Sequence, residues 1–141
     1  MSLTPFHLAI PVDDLDAARA FYGGLLGCPE GRSAERWIDY DLFGHQLSLH
    51  LVDRPVGALA GHNPVDGDAV PVPHFGVVLP WDDWQALARR LEGAEVAFVI
   101  PPRVRFAGEI GEQATLFFLD PCGNALEFKA FKDASRIFAT D

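Results

Sequence analysis

The sequence predicts an α+β fold of two β-α-β-β-β modules. Three observations predict it: a short internal repeat, an Asp-Asp pair followed by an amphipathic run in each copy, and strand-length apolar stretches at matching places in each half. The repeat sets PFHLAIPVDDLDAARAF, near the start, against VPHFGVVLPWDDWQALARRL at 72–91. Each copy carries one His in a short apolar strand, then the Asp pair, then the amphipathic run.

The elements follow in order. His7 opens the first strand, where side chains alternate, so His7 and Ala9 share one face while Phe6, Leu8 and Ile10 take the other. The first Asp pair can accept the free N–H groups of a first helical turn and complements the positive end of the dipole. A helix is therefore expected over about 14–26, with Leu15, Ala18, Tyr22 and Leu25 on one stripe and a stop at Gly27 before Pro29. Strands are expected over 36–43 and 45–52, which closes the first module at about 4–52. GALAGHNPVDGDAVPVP is too broken by turn residues for a helix or a central strand, and 53–73 reads as the linker. The second module, about 74–131, repeats the pattern: a strand from His74, a helix over about 83–91 burying Trp84, Leu87 and Leu91, and strands over 96–100, 115–119 and 125–131.

Composition bounds the function. With 141 residues, about half apolar, one domain can bury a core unaided. The net charge of -9, with eleven scattered Lys and Arg, repels phosphate backbones and anionic lipid and argues against nucleic-acid and membrane partners. No apolar run nears the roughly 20 residues of a membrane helix, and the start lacks the pattern of a signal peptide, so a cytoplasmic location is expected. Cys28 and Cys122 are too few for a disulfide scaffold and read as free thiols of structural role.

Three residues carry the chemistry. His7 and His74 stand at matching points of the repeat, and Glu127 interrupts an otherwise apolar strand after a turn at 120–124. A lone strand His is more often a hydrogen-bonded core residue than a ligand, but a matched pair changes that reading. Taking a carboxylate from water costs several kcal/mol unless something positive compensates. No Lys or Arg stands out as its partner on the same face, so a divalent cation is the candidate. Two imidazoles and one carboxylate leave coordination positions open, which suits non-haem Fe(II) and, less selectively, Mn(II), Ni(II) or Zn(II).

The two modules, the opening HLAIPVDDLDAARAFYGGLLGC and the closing FFLDPCGNALEF resemble the vicinal oxygen chelate superfamily, which includes glyoxalase I, extradiol dioxygenases, fosfomycin-resistance proteins and bleomycin-binding proteins. The resemblance implies a curved, cupped mixed sheet around one metal with helices outside, a homodimer, and His7, His74 and Glu127 as ligands. The family's fourth ligand position falls at about Ser48, a poor ligand, with His50 next on the same face. That points from glyoxalase I chemistry toward the two-His-one-carboxylate set of extradiol dioxygenases, acting on a small oxygen-rich substrate such as a catechol. His50 is then the acid-base residue, with a fourth ligand or a strand-edge residue as the alternatives. A glyoxalase-like isomerase or lyase and a non-catalytic small-molecule binder are the rival functions. Arg103 and Arg105, alternating on an extended segment, are candidates for a substrate carboxylate, with solvated surface as the plain alternative. Gln113 is a candidate polar pocket contact. Trp37, Tyr40, Phe106 and Phe117 could line an aromatic pocket, although core packing accounts for them, and Phe117 is kept as a substrate-binding candidate.

Overall fold

The computed structural model describes residues 3–56 and 61–140. It is an α+β structure with a four-stranded, a two-stranded and a three-stranded sheet. Its contacts divide the chain into two compact units, Met1–Leu59 with Asp120–Asn124, and Ala60–Leu119 with Ala125–Asp141.

In the first unit, β1 (His7–Val12), β2 (Glu30–Ala34), β3 (Trp37–Leu42) and β4 (His45–Leu51) form a sheet in the order β1-β4-β3-β2. β1 runs parallel to β4, pairing His7 with Gln46, Ala9 with Ser48 and Pro11 with His50. Alternation sends Ile10, Val12, Ile38, Tyr40, Leu42, Leu47 and Leu49 to one buried face. β2 escapes sequence reading because EGRSA is exposed throughout and shows no alternation. The β3–β4 turn places Phe43 and Gly44 at φ 51° and 91°, a left-handed pair suited to a two-residue hairpin.

The first helix begins as expected, with the Asp14 carboxylate accepting from Ala17 N at 3.0 Å. It is α-helical only as α1 (Leu15–Arg19) and continues as a π-helical stretch, Ala20–Leu25. Phe21 and Tyr22 are buried there, and the Tyr22 ring lies 6.1 Å from that of Tyr40. Gly27, at φ 70°, ends it.

The 120–124 turn completes this unit. Asp120, 4% exposed, accepts from Cys122 N and Asn124 N at 2.8 Å, from Asn124 Nδ2 at 3.0 Å and from Tyr22 Oη at 2.7 Å. Asn124 Nδ2 also donates to the Pro11 carbonyl at 2.8 Å, and Gly123 takes φ 93°. The Asp-Pro-Cys-Gly-Asn signature is thus a structural knot. Both cysteines are buried, and burial pushes the Cys122 thiol up to about 11.

In the second unit, α2 (Trp81–Gly93) packs on a sheet of β7 (Phe98–Arg105), β8 (Gln113–Leu119) and β9 (Ala125–Phe131). The helix starts one residue before the second Asp pair, with Pro80 at its cap and no side-chain cap bond. Asp82 and Asp83 therefore sit inside the first turn, where they complement the dipole but do not cap it. Trp84, Leu87, Ala88 and Leu91 are buried, and each large one contributes about 2 kcal/mol of burial. Trp84 Nε1 donates to the Phe128 carbonyl at 2.9 Å.

The stretch after His74 is not a full strand but touches β9 in parallel through Phe75–Leu126 and Val78–Lys129 bridges. That reproduces the β1–β4 relation, so each module has the order first, last, penultimate, remaining strand. Part of the linker, Gly57–Ala60, lies outside the described residues. The rest forms a hairpin, β5 (Gly61–Val65) and β6 (Asp68–Val72), turned by Asp66 and Gly67 at φ 48° and 90°. An isolated two-stranded sheet tolerates Pro64 and Pro71, which a central strand would not.

Candidate metal centre

The two module registers place the site residues. Leu8 pairs with Leu47 in the first module and Phe75 with Leu126 in the second, so one step along Ala9–Ser48 corresponds to Gly76–Glu127. Ser48 therefore holds the position equivalent to Glu127, and His50 the position equivalent to Lys129. Gly76 owes its size to this pairing. A Cβ there would lie 1.6 Å from the Glu127 carbonyl oxygen, so close backbone approach, not room for a ligand, requires glycine.

In the second unit the structure brings His74 and Glu127 together. His74 Nε2 lies 3.4 Å from Glu127 Oε1, and its Nδ1 lies 2.7 Å from the Pro71 carbonyl. A carbonyl only accepts, so Nδ1 carries the hydrogen, and Nε2 is the ring nitrogen that faces the carboxylate. Thr115 Oγ1 donates to Glu127 Oε2 at 2.6 Å. An imidazole with its Nδ1–H on a carbonyl and its Nε2 beside a hydroxyl-anchored carboxylate is a fitting pair of metal ligands.

Glu127 also has a cationic neighbour that the sequence reading did not assign. Lys129 is two residues on along the same strand, hence on the same face, and its Nζ lies 3.9 Å from Oε1. The expectation of no same-face cation is corrected accordingly, and burial of the carboxylate alone does not demand a metal. Among the described residues, no group of three or more His, Cys, Asp or Glu gathers in metal-binding geometry.

In the first unit, His7 Nδ1 lies 2.9 Å from Gln46 Oε1, and Ser48 Oγ donates to Asp39 Oδ1 at 2.6 Å. Gln46 Nε2 lies 3.5 Å from Asp39 Oδ2. Ser48 is thus committed to a neighbouring carboxylate. His50 is exposed on the same strand face. Asp39 and Gln46 were missed, although alternation in WIDYDL and HQLSLHL already puts them on the face shared by Ser48 and His50.

Most of the remaining candidates lie in the second unit. Arg103 Nη2 pairs with Asp68 Oδ2 at 2.5 Å, and Arg105 pairs with Asp66, so the hairpin's own carboxylates take both guanidiniums. Phe117 is fully enclosed with Val70, Ile100 and Ala125, its ring edge-on to His74 at 4.7 Å. Gln113 lines a cavity of about 810 Å³ with Phe106, Ile110, Phe131 and Arg136. Tyr40 is core, whereas Phe106 is half-exposed beneath the Arg105 guanidinium.

The fold and the repeat define a class of two-module α+β proteins. A family model described as the glyoxalase/bleomycin resistance protein/dioxygenase superfamily matches residues 4–128, and the chain belongs to that family. A glyoxalase/bleomycin resistance protein/dioxygenase from Alicyclobacillus acidocaldarius is 34% identical over 96% of each chain, with a TM-score of 0.77. The fosfomycin resistance protein FosX of Listeria monocytogenes is 17% identical over 97% of this chain and 98% of that one, TM-score 0.64. A lactoylglutathione lyase from Agrobacterium tumefaciens is 19% identical over 90% and 92%, TM-score 0.62. The last two show the fold alone. No curated protein matches. Among the described residues, no helix is long and apolar enough to cross a membrane.

Proposed function

We propose that this chain is a metal-dependent enzyme whose divalent cation is held by His74, Glu127 and His7, and that it acts as an oxygenase of the extradiol type on a small oxygen-rich substrate. The observation that carries the reading is the His74–Glu127 pair, with Nε2 3.4 Å from the carboxylate and Nδ1 held at 2.7 Å from Pro71 O. His7 is supported by its place in the repeat, and its Nδ1 is likewise beside an oxygen acceptor.

The committed Ser48 favours three protein ligands over four. Three ligands leave positions for substrate oxygens, which suits Fe(II) before Ni(II), Mn(II) or Zn(II). When bound, such a metal supplies Lewis-acid polarisation and, if iron, redox chemistry with dioxygen. The chain's own contribution is orientation: Thr115 fixes one Glu127 oxygen, Pro71 fixes the His74 ring, and His50 is the acid-base group on the first module's equivalent face. The glyoxalase-like isomerase or lyase needs a fourth ligand, which Ser48 does not provide. A homodimer is part of the proposal, and light scattering of the purified protein tests it.

One observation favours a second reading. Lys129 near Glu127 gives the carboxylate a cation without a metal, as a non-catalytic binding protein of the bleomycin-resistance kind would require. Metal analysis of protein purified without added salts, with oxygen uptake over a catechol panel, separates the two. Stoichiometric iron and catechol-dependent uptake support the oxygenase. Iron-free protein that isomerises a hemithioacetal overturns it in favour of the lyase, and metal-free protein inert in both assays favours the binder.

A further inference from the structure

We infer that Asp39, acting through Gln46, holds His7 in the tautomer whose hydrogen sits on Nδ1, so that Nε2 is presented as a bare nitrogen. This deepens the metal reading and rests on it only for the use to which Nε2 is put. Asp39 and Gln46 are positioning residues here.

A carboxylate is acceptor-only, and Asp39 Oδ1 already takes the Ser48 hydroxyl hydrogen at 2.6 Å. Its Oδ2 faces one end of the Gln46 amide at 3.5 Å. Only the NH₂ end of an amide can face a carboxylate without repulsion, so the other end, 2.9 Å from His7 Nδ1, is the carbonyl oxygen. That oxygen accepts, and Nδ1 must donate. A neutral imidazole holds one ring hydrogen, so Nε2 keeps its lone pair.

The two modules reach one tautomer by different routes. Beside His74 the acceptor is the backbone carbonyl of Pro71, which cannot exchange donor for acceptor. Beside His7 the acceptor belongs to a side-chain amide, whose two ends are nearly alike in shape and can exchange by rotation. Asp39 removes that freedom. The Ser48 hydroxyl in turn restrains Asp39, which gives a role to a residue that stands at a ligand position without ligand chemistry.

The test is long-range ¹H–¹⁵N NMR of the metal-free full chain at about pH 8, above the ordinary imidazole pKa near 6.5. His7 resonances are assigned by their loss in His7→Gln. The wild type is expected as the Nδ1–H form, which imidazoles disfavour in water. Gln46→Leu should revert it to Nε2–H, and Asp39→Asn should give a mixture, because an amide at 39 presents either end. Both variants should weaken Ni²⁺ binding by calorimetry roughly tenfold, the low end for loss of a ligand's supporting contact. An Nε2–H wild type overturns the inference, as does an unchanged tautomer in both variants. If either variant misfolds, the wild-type tautomer and the other variant still decide. A wild type that holds Nδ1–H but binds no Ni²⁺ leaves the relay standing and sinks the metal reading alone.

Discussion

Removing the Asp120 carboxylate should cost the fold more than its surface turn would suggest, and the structure sets the magnitude. Asp120 accepts four hydrogen bonds, from Tyr22 Oη, Cys122 N, Asn124 N and Asn124 Nδ2. In Asp120→Ala, Asn124 is partly exposed and can turn to water, but the Tyr22 hydroxyl belongs to a fully buried side chain and Cys122 is 8% exposed. Each buried donor left without a partner costs about 1–3 kcal/mol, so the variant should lose about 4 kcal/mol. With an unfolding entropy of about 2.1 cal/mol/K per residue, that lowers Tm by roughly 10–15 °C. Tyr22→Phe alone should cost about 1–2 kcal/mol, since Asp120 keeps three donors. In the Asp120→Ala background the same change should instead recover about 1 kcal/mol, because it deletes a stranded hydroxyl. Urea denaturation of the four proteins reads the cycle. Equal costs of Tyr22→Phe in both backgrounds would refute the reasoning, as would a loss below about 1 kcal/mol for Asp120→Ala.

Other consequences are open to measurement. Gly76→Ala places a Cβ 1.6 Å from the Glu127 carbonyl, so the 75–78 pairing with β9 must break; we expect a Tm loss above 10 °C, at about 3 kcal/mol or more, and loss of bound metal with it. Glu127→Ala should remove most bound metal while leaving the circular dichroism spectrum unchanged, whereas unchanged metal content would count against the ligand assignment. Burial, reinforced by the Asp120 carboxylate, holds the Tyr22 phenol well above its ordinary range, and burial beside Glu30 pushes Tyr40 up to about 12. The folded chain thus binds more protons than the unfolded one above pH 10, and stability should fall as pH rises from about 10 toward 12. Tyr22→Phe should flatten that slope in denaturation curves taken at successive pH values.

The repeat made most of the fold legible. Two copies of a His strand, an acidic step and an apolar run indicated where strands and helices begin, and the observed β1–β4 and 75–78–β9 pairings carry the same register logic. What the sequence concealed was local. EGRSA has no buried face to impose alternation, so β2 left no periodic trace. The π-helical Ala20–Leu25 depends on tertiary packing of Phe21 and Tyr22, which helix periodicity does not encode. The linker hairpin was readable from Asp66-Gly67, but its prolines argued against strands in general when they exclude only central ones.

The candidate site was legible in its out-of-pattern residues and opaque in their surroundings, and the reason is physical. A His or Glu amid apolar residues is a departure from pattern, whereas the groups that orient it are ordinary polar residues on neighbouring strands: Thr115 and Lys129 for Glu127, Gln46 and Asp39 for His7. Their roles follow from register, which fixes who faces whom across strands far apart in sequence. Lys129 shows the limit most sharply, because alternation alone puts it on the Glu127 face, yet only its Nζ position reveals that it reaches the carboxylate. The same residue makes the metal question decidable. A Lys129→Met variant leaves Glu127 with Thr115 and His74 but no ammonium, so a true metal ligand should bind Ni²⁺ several-fold more tightly without the competing cation, while a carboxylate that serves only as Lys129's partner should lose stability and gain no affinity. Calorimetry with Ni²⁺ beside thermal denaturation of the same variant separates the two.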